Sequence, residues 1–240
     1  MTLSWRRIRA IVRKEFREYR RNRSVISTMA IFPLIFLIQP VVVVNRLSAS
    51  SSTALSQEHL LLYMLAIPIF TPAMLAAYSV AGERNQGSLE PVLTTPIRRE
   101  EFLIGKGLAV LVPSIAVAYL VYAAFLAWTV FFTEPGVASA IIKVPDFVAQ
   151  ILFTPLLACL FAWVGIAIST RTTDVRVAQQ LTLLGSIPAV IVTSLIAFDV
   201  IPPSPSLAVG IAVAVFVADV VGWRVVSPMF DRERLVTGSR

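Results

Sequence analysis

The sequence predicts an all-α integral membrane protein of six transmembrane helices, and three observations carry that prediction. The first is composition. The 240 residues are 57% hydrophobic and only 15% charged, with a mean hydropathy of +0.79, where a soluble domain carries about 25% charge. The second is length: several windows of 18 or more residues hold no charge, which marks membrane-spanning helices. The third is the placement of the cations, which collect on one side of those windows. A β-barrel is excluded because the apolar runs are continuous rather than alternating.

In chain order, the expected organisation begins with an amphipathic interface helix over residues 1–23. Six spans follow at about 24–44, 60–82, 107–132, 147–168, 181–198 and 207–226, forming the transmembrane domain 24–226. A polar segment at 83–106 interrupts it, and a tail occupies 227–240. An even number of spans puts both termini on one side. That side carries nineteen of the Lys and Arg residues, against Arg46 and Lys143 on the other. Both termini are therefore expected in the cytoplasm, with the chain in the cell (inner, cytoplasmic) membrane. The same bias accounts for the net charge of +7 without a nucleic-acid partner. The N-terminus does not read as a secretory signal, and the single Cys159 supports neither a disulfide nor a zinc framework. The outer loops 45–59, 133–146 and 199–206 are too short for a folded external domain.

The leading helix places Trp5, Ile8, Val12, Phe16 and Tyr19, with Ile11 alongside, on one stripe. Such a helix is expected in the headgroup plane, aromatic side toward lipid and cations toward anionic headgroups. It serves as an orientation signal or as a contact for a cytoplasmic partner. Most spans contain prolines (Pro33, Pro40, Pro68, Pro72, Pro113, Pro155, Pro188), which loosen the helical ladder locally. Asp219 reads as the only ionisable residue well inside a span. It is a candidate for bundle pairing, with Arg224 a nearby partner, or for a substrate path. The spans are expected to hold no second buried carboxylate, His or Lys, which argues against a proton relay.

The stretch "AGERNQGSLEPVLTTPIRREEFLIGKGLA" (81–109) is the one polar, segmented piece between apolar runs. Ser88 caps a short helix with Glu90 and Pro91 in its first turn, and Leu89, Val92 and Leu93 give it an apolar patch. Thr95 then caps a second helix with Pro96 at its first position, running through Glu100 and Glu101 into the third span. The segment has no metal ligands, no nucleophile–base pair and no phosphate loop; no catalytic, cofactor-binding or metal-binding residue is expected. An intramembrane protease using Glu100 and Glu101 would need further polar residues within the spans, and the only His, His59, lies in an outer loop.

These residues resemble the cytoplasmic coupling segment of type-2 ABC exporter permeases. In that family a Glu closes the second span, a Gly-Ser/Thr-Leu-Glu follows, then a Thr-Pro turn and a Gly-Lys opening the third span. Here those are Glu83, Gly87, Ser88, Leu89, Glu90, Thr95, Pro96, Gly105 and Lys106. "KEFREYRRNR" and "ISTRTTDVRVAQQLTLLGSIP" are similar to its leading helix and to the start of its fifth span.

The resemblance implies a permease subunit, not itself an enzyme, that passes a substrate outward when a separate ATP-binding subunit closes on ATP. ATP and Mg would be bound by that partner and no cofactor by this chain, which has no G-x-x-x-x-G-K-[ST] motif. Residues 88–94 would form the coupling helix between spans 2 and 3. Glu83, Arg84, Gly87, Ser88, Leu89, Glu90, Leu93, Thr95 and Pro96 are the expected ATPase contacts, with Lys14, Glu15 and Arg21 as secondary ones. A second permease copy, identical or homologous, would complete the path in the lipid bilayer. The alternative is a membrane scaffold that anchors an ATPase complex without transporting. The short outer loops depart from relatives with large external insertions.

Overall fold

Long charge-free runs leave the backbone only one way to satisfy its polar groups in lipid, and the chain takes it. The computed structural model describes residues 3–45, 59–85 and 98–230. Among these residues there is no strand, and six helices are long and apolar enough to cross a membrane.

Helix α1 spans Trp5–Arg21 and α2 Arg23–Asn45. The second span is built in pieces: α3 (Leu60–Tyr63), a 3₁₀ turn (Met64–Ala66) and α4 (Ile67–Asn85). The turn falls just ahead of Pro68, whose missing N–H cannot continue a ladder. The third span, α5 (Arg99–Phe132), starts eight residues earlier than its hydropathy suggests. A short outer helix, α6 (Pro135–Ile141), precedes α7 (Val144–Arg171). Helices α8 (Val175–Ala197) and α9 (Pro205–Val226) complete the bundle, and a 3₁₀ turn (Ser227–Phe230) ends it. Prolines 33, 40, 72, 113, 155 and 188 all lie inside helices.

The centre of the bundle is the α4–α7 pair, with α8 against both, α9 against α7, and α2 and α5 closing the other side. Lipid is as apolar as leucine, so close packing rather than water exclusion holds such helices together. Small residues permit it: a methyl group added at Gly165 would lie 2.6 Å from Ala76 Cβ and 3.0 Å from the Ala73 carbonyl. Ser169 bonds across the same seam, donating to the Ala77 carbonyl at 2.7 Å and accepting the Val80 and Ala81 amides at 3.1 and 2.9 Å. That hydroxyl is inserted into the ladder of α4 near its terminal-side end. Trp163 of α7 takes Trp223 edge-on at 5.5 Å, which seats α9. Leu34, Leu184, Val213 and Phe216 are among the large apolar side chains left exposed on α2, α8 and α9, as a membrane-facing surface requires.

Candidate functional site

Helix α1 is held against α5 by features a plain interfacial helix does not need. Its buried face is Ile8, Ile11, Glu15 and Tyr19, while Trp5 is 66% exposed. The stripe expected to face lipid therefore undergoes a partial rotation inward: Ile8, Ile11 and Tyr19 turn into the protein with Glu15 at their centre, Val12 and Phe16 are half-buried, and Trp5 stays outside. Gly105 of α5 makes the approach possible, since a methyl group there would sit 2.8 Å from Ile11 Cβ and Cγ2.

The reason for the rotation is Lys106. Its ammonium is fully buried, 3.0 Å from Glu15 Oε1 and 3.0 Å from Glu83 Oε2, and it donates to the Ser79 carbonyl at 2.6 Å. It also lies 5.1 Å above the Phe102 ring. Lys14 donates to the other oxygen of Glu83 and pairs with Glu18 at 3.2 Å. A buried lysine costs several kcal/mol unless it is both paired and hydrogen-bonded. Here both conditions are met, by groups from α1 and α4 converging on α5. The expectation that no buried Lys or second buried carboxylate exists is thus corrected. Lys106, Glu15 and Glu83 are all buried, at the cytoplasmic ends expected of α4 and α5 rather than at mid-depth, where they would cost more.

Burial, against the pull of Lys106 and with the push of Glu83, raises the Glu15 carboxyl above its ordinary range. Burial works against the Lys14 ammonium, yet Glu83, Glu15 and Glu18 together hold it above the ordinary lysine value. Glu15, Glu18 and Glu83 lie close enough to suggest a metal site, with ligand oxygens within 4.8 Å of one another. All three are already paired with Lys14 or Lys106, so the chemistry of the set is that of a clamp.

A second clamp sits one turn above. Glu101 accepts the Ser4 amide at 2.8 Å, the Arg98 amide at 3.2 Å and Arg7 Nη1 at 3.1 Å. It closes the N-terminus of α5 and ties the start of α1 to it. At the far end of α1, Asn22 donates to the Tyr78 hydroxyl of α4. Three fastenings therefore join α1 to the end of span 2 and the start of span 3.

Of the expected contact residues, Glu83 is buried in the first clamp and Arg84 falls in α4, where only its backbone is described. Gly87, Ser88, Leu89, Glu90, Leu93, Thr95 and Pro96 lie outside the described residues. Among the secondary contacts, Glu15 is buried, Lys14 is partly so, and Arg21 is exposed. Asp219 faces the Cys159 thiol of α7; no bond to Arg224 is formed among the described residues. The residues that sequence reasoning missed are Lys106 and Glu15 as a pair. The available signal was Glu15 itself, a carboxylate four residues from both Ile11 and Tyr19 on an apolar face.

The family model described as ABC-2 family transporter protein matches residues 9–212. No curated protein matches the chain.

Proposed function

The chain belongs to the ABC-2 transporter family, and on that premise we propose that it is the membrane-spanning permease subunit of an ATP-driven exporter. Hydrolysis takes place on a separate ATP-binding subunit, which holds ATP and Mg. This chain carries no cofactor and no catalytic residue. Both termini face the cytoplasm, and a second copy or a homologous subunit completes the path.

The observation that carries this reading is the clamp. Helix α4 ends at Asn85 and α5 begins at Arg99, so the coupling segment lies between two helix ends that are both fastened to α1, through Lys106 and Glu101. A load applied to that segment reaches spans 2 and 3 and α1 together instead of bending one loop. Such stiffness suits a mechanical handle. A solvated loop has no use for a fully buried lysine at its base. The handle itself is residues 88–94, with Leu89 and Leu93 as its grip.

Replacing both leucines with aspartate tests this. The expected result is a chain that still inserts in the membrane and whose α1 remains docked, but which no longer stimulates ATP hydrolysis by its partner. Normal binding and stimulation would remove residues 88–94 from the account. Stimulated hydrolysis with no substrate movement into vesicles by the unmodified chain would favour a non-transporting scaffold.

A further inference from the structure

The half of the bundle opposite the clamp carries a second polar feature that no part of the coupling account uses. Asp146, Gln150 and Thr154 occupy one face of α7 at four-residue spacing, descending about 12 Å along the helix axis. Their exposures are 2%, 0% and 0%. One oxygen of Asp146 meets His59 Nδ1 at 2.6 Å. Its other oxygen, both amide atoms of Gln150 and the Thr154 hydroxyl have no hydrogen-bond partner among the described residues. The hydroxyl of Tyr122, on α5, is buried and equally unpartnered. Its ring lies 6.1 Å from that of Phe147, beside the first turn of α7, within the field of the Asp146 carboxylate.

Five such atoms on one seam cannot be ordinary packing. A buried amide or hydroxyl without a bond costs roughly 1–3 kcal/mol even in soluble proteins, and the bilayer offers no compensation. Ser114, Thr129 and Thr182 show the usual alternative, each donating to a carbonyl of its own helix at 2.7–2.9 Å. Thr154 does not, and Thr71 on α4 is the one further span hydroxyl left buried and unpartnered among the described residues. The set therefore serves something that enters from outside the fold.

We propose that Asp146, Gln150, Thr154 and Tyr122 line a hydrated well, closed at its mouth by His59, that takes up a small monovalent cation. Its free atoms are mostly oxygen acceptors, one of them a carboxylate oxygen; oxygen ligands suit hard cations, and a single carboxylate balances one positive charge. His59 is bonded to Ala197 through its backbone amide, at 2.9 Å to the carbonyl. The mouth is thus fixed to the end of span 5, and displacement of the His59 side chain opens the well. The proposal stands on this seam alone and does not depend on ATP coupling.

The test uses the full chain in sealed vesicles, with Cys159 replaced by alanine so that one introduced thiol is the only target. Thr154→Cys is nearly isosteric, and Gln150→Cys is an independent second position. A cationic and an anionic methanethiosulfonate of matched size are applied in turn to each side. The expected result is labelling only from the side opposite the termini. The cationic reagent should be faster by about tenfold after correction for its rate on a free thiol, and Asp146→Asn should erase the difference. His59→Ala should speed both reagents. Ile151→Cys, half exposed on the neighbouring face, should stay unlabelled. Equal rates for the two reagents overturn the cation assignment, and absence of labelling at both positions in folded protein overturns the well. Labelling from the terminal side overturns its placement.

Discussion

Lys106→Met removes the charge at the centre of the clamp while keeping an unbranched side chain of similar length. At 3.0 Å from each of two carboxylates, the Coulomb attraction is about 5 kcal/mol per pair at an effective dielectric near 20. Most of that only offsets the cost of desolvating the charges. What the substitution exposes is the uncompensated remainder: two buried carboxylates with one partly exposed Lys14 between them. Breaking a buried pair from one side costs about 3–5 kcal/mol.

Glu15 limits the loss, because its raised carboxyl takes up a proton readily. A group whose folded value is raised favours the folded state at low pH, and that contribution is lost as pH rises through the folded value. The deficit should therefore be smaller at pH 5 than at pH 8. Near neutrality about 3 kcal/mol is expected, or about a hundredfold faster amide exchange over α1. Hydrogen exchange with mass-spectrometric readout of residues 5–21 measures it directly. Adding Glu15→Met to the variant should recover most of the protection, since both members of the pair are then apolar. Unchanged protection in Lys106→Met alone would refute the reasoning.

Other outcomes follow from neighbouring contacts. Glu101→Gln should speed exchange at the start of α1 and α5, less than Lys106→Met does, because two of its three bonds are to backbone amides that a neutral acceptor still satisfies. Gly165→Val should force α4 and α7 apart and cost about 1–3 kcal/mol, seen as a lower unfolding temperature in detergent. Alkaline pH should release α1: Lys14 is held above its ordinary value, so its contribution is complete below about pH 10.4 and lost as pH rises through the folded value. Protection of α1 against exchange, referenced to intrinsic rates, should hold up to about pH 10 and fall only above it.

The spans were legible because a run of apolar residues longer than a bilayer's core has one stable answer, and each expected span has its helix. The 3₁₀ turn before Pro68 was not, while the helix read through Glu100 and Glu101 into the third span is there, with its first residue at Arg99 and its cap at Arg98. Hydropathy measures where lipid begins, whereas Glu101 caps a helix that has already begun outside it. The stripe on α1 was misplaced for a related reason. Glu15 scores as polar, so local periodicity directed the whole stripe, Ile8 and Tyr19 included, toward lipid, and only Lys106, 91 residues away, makes Glu15 the centre of a face that turns into the protein. The lysine was visible as part of a Gly-Lys pair, but a loop-side count of cations treats it as solvated. Gly105 likewise shows its purpose only once Ile11 is seen against it. Asp146, at the expected edge of span 4, belongs with Gln150 and Thr154 only when all three are found buried on one face.

The central claim is that the clamp passes ATP-driven motion from residues 88–94 into the spans. The chain and two variants, Lys106→Met and the Leu89→Asp, Leu93→Asp pair, can be isolated from native membranes with their partners, and ATP hydrolysis and vesicle transport measured on each. The account predicts a stoichiometric ATPase with the unmodified chain and none stimulated by the leucine variant. It predicts that Lys106→Met still binds the ATPase but transports poorly per ATP consumed. Transport per ATP in Lys106→Met equal to that of the unmodified chain would contradict it.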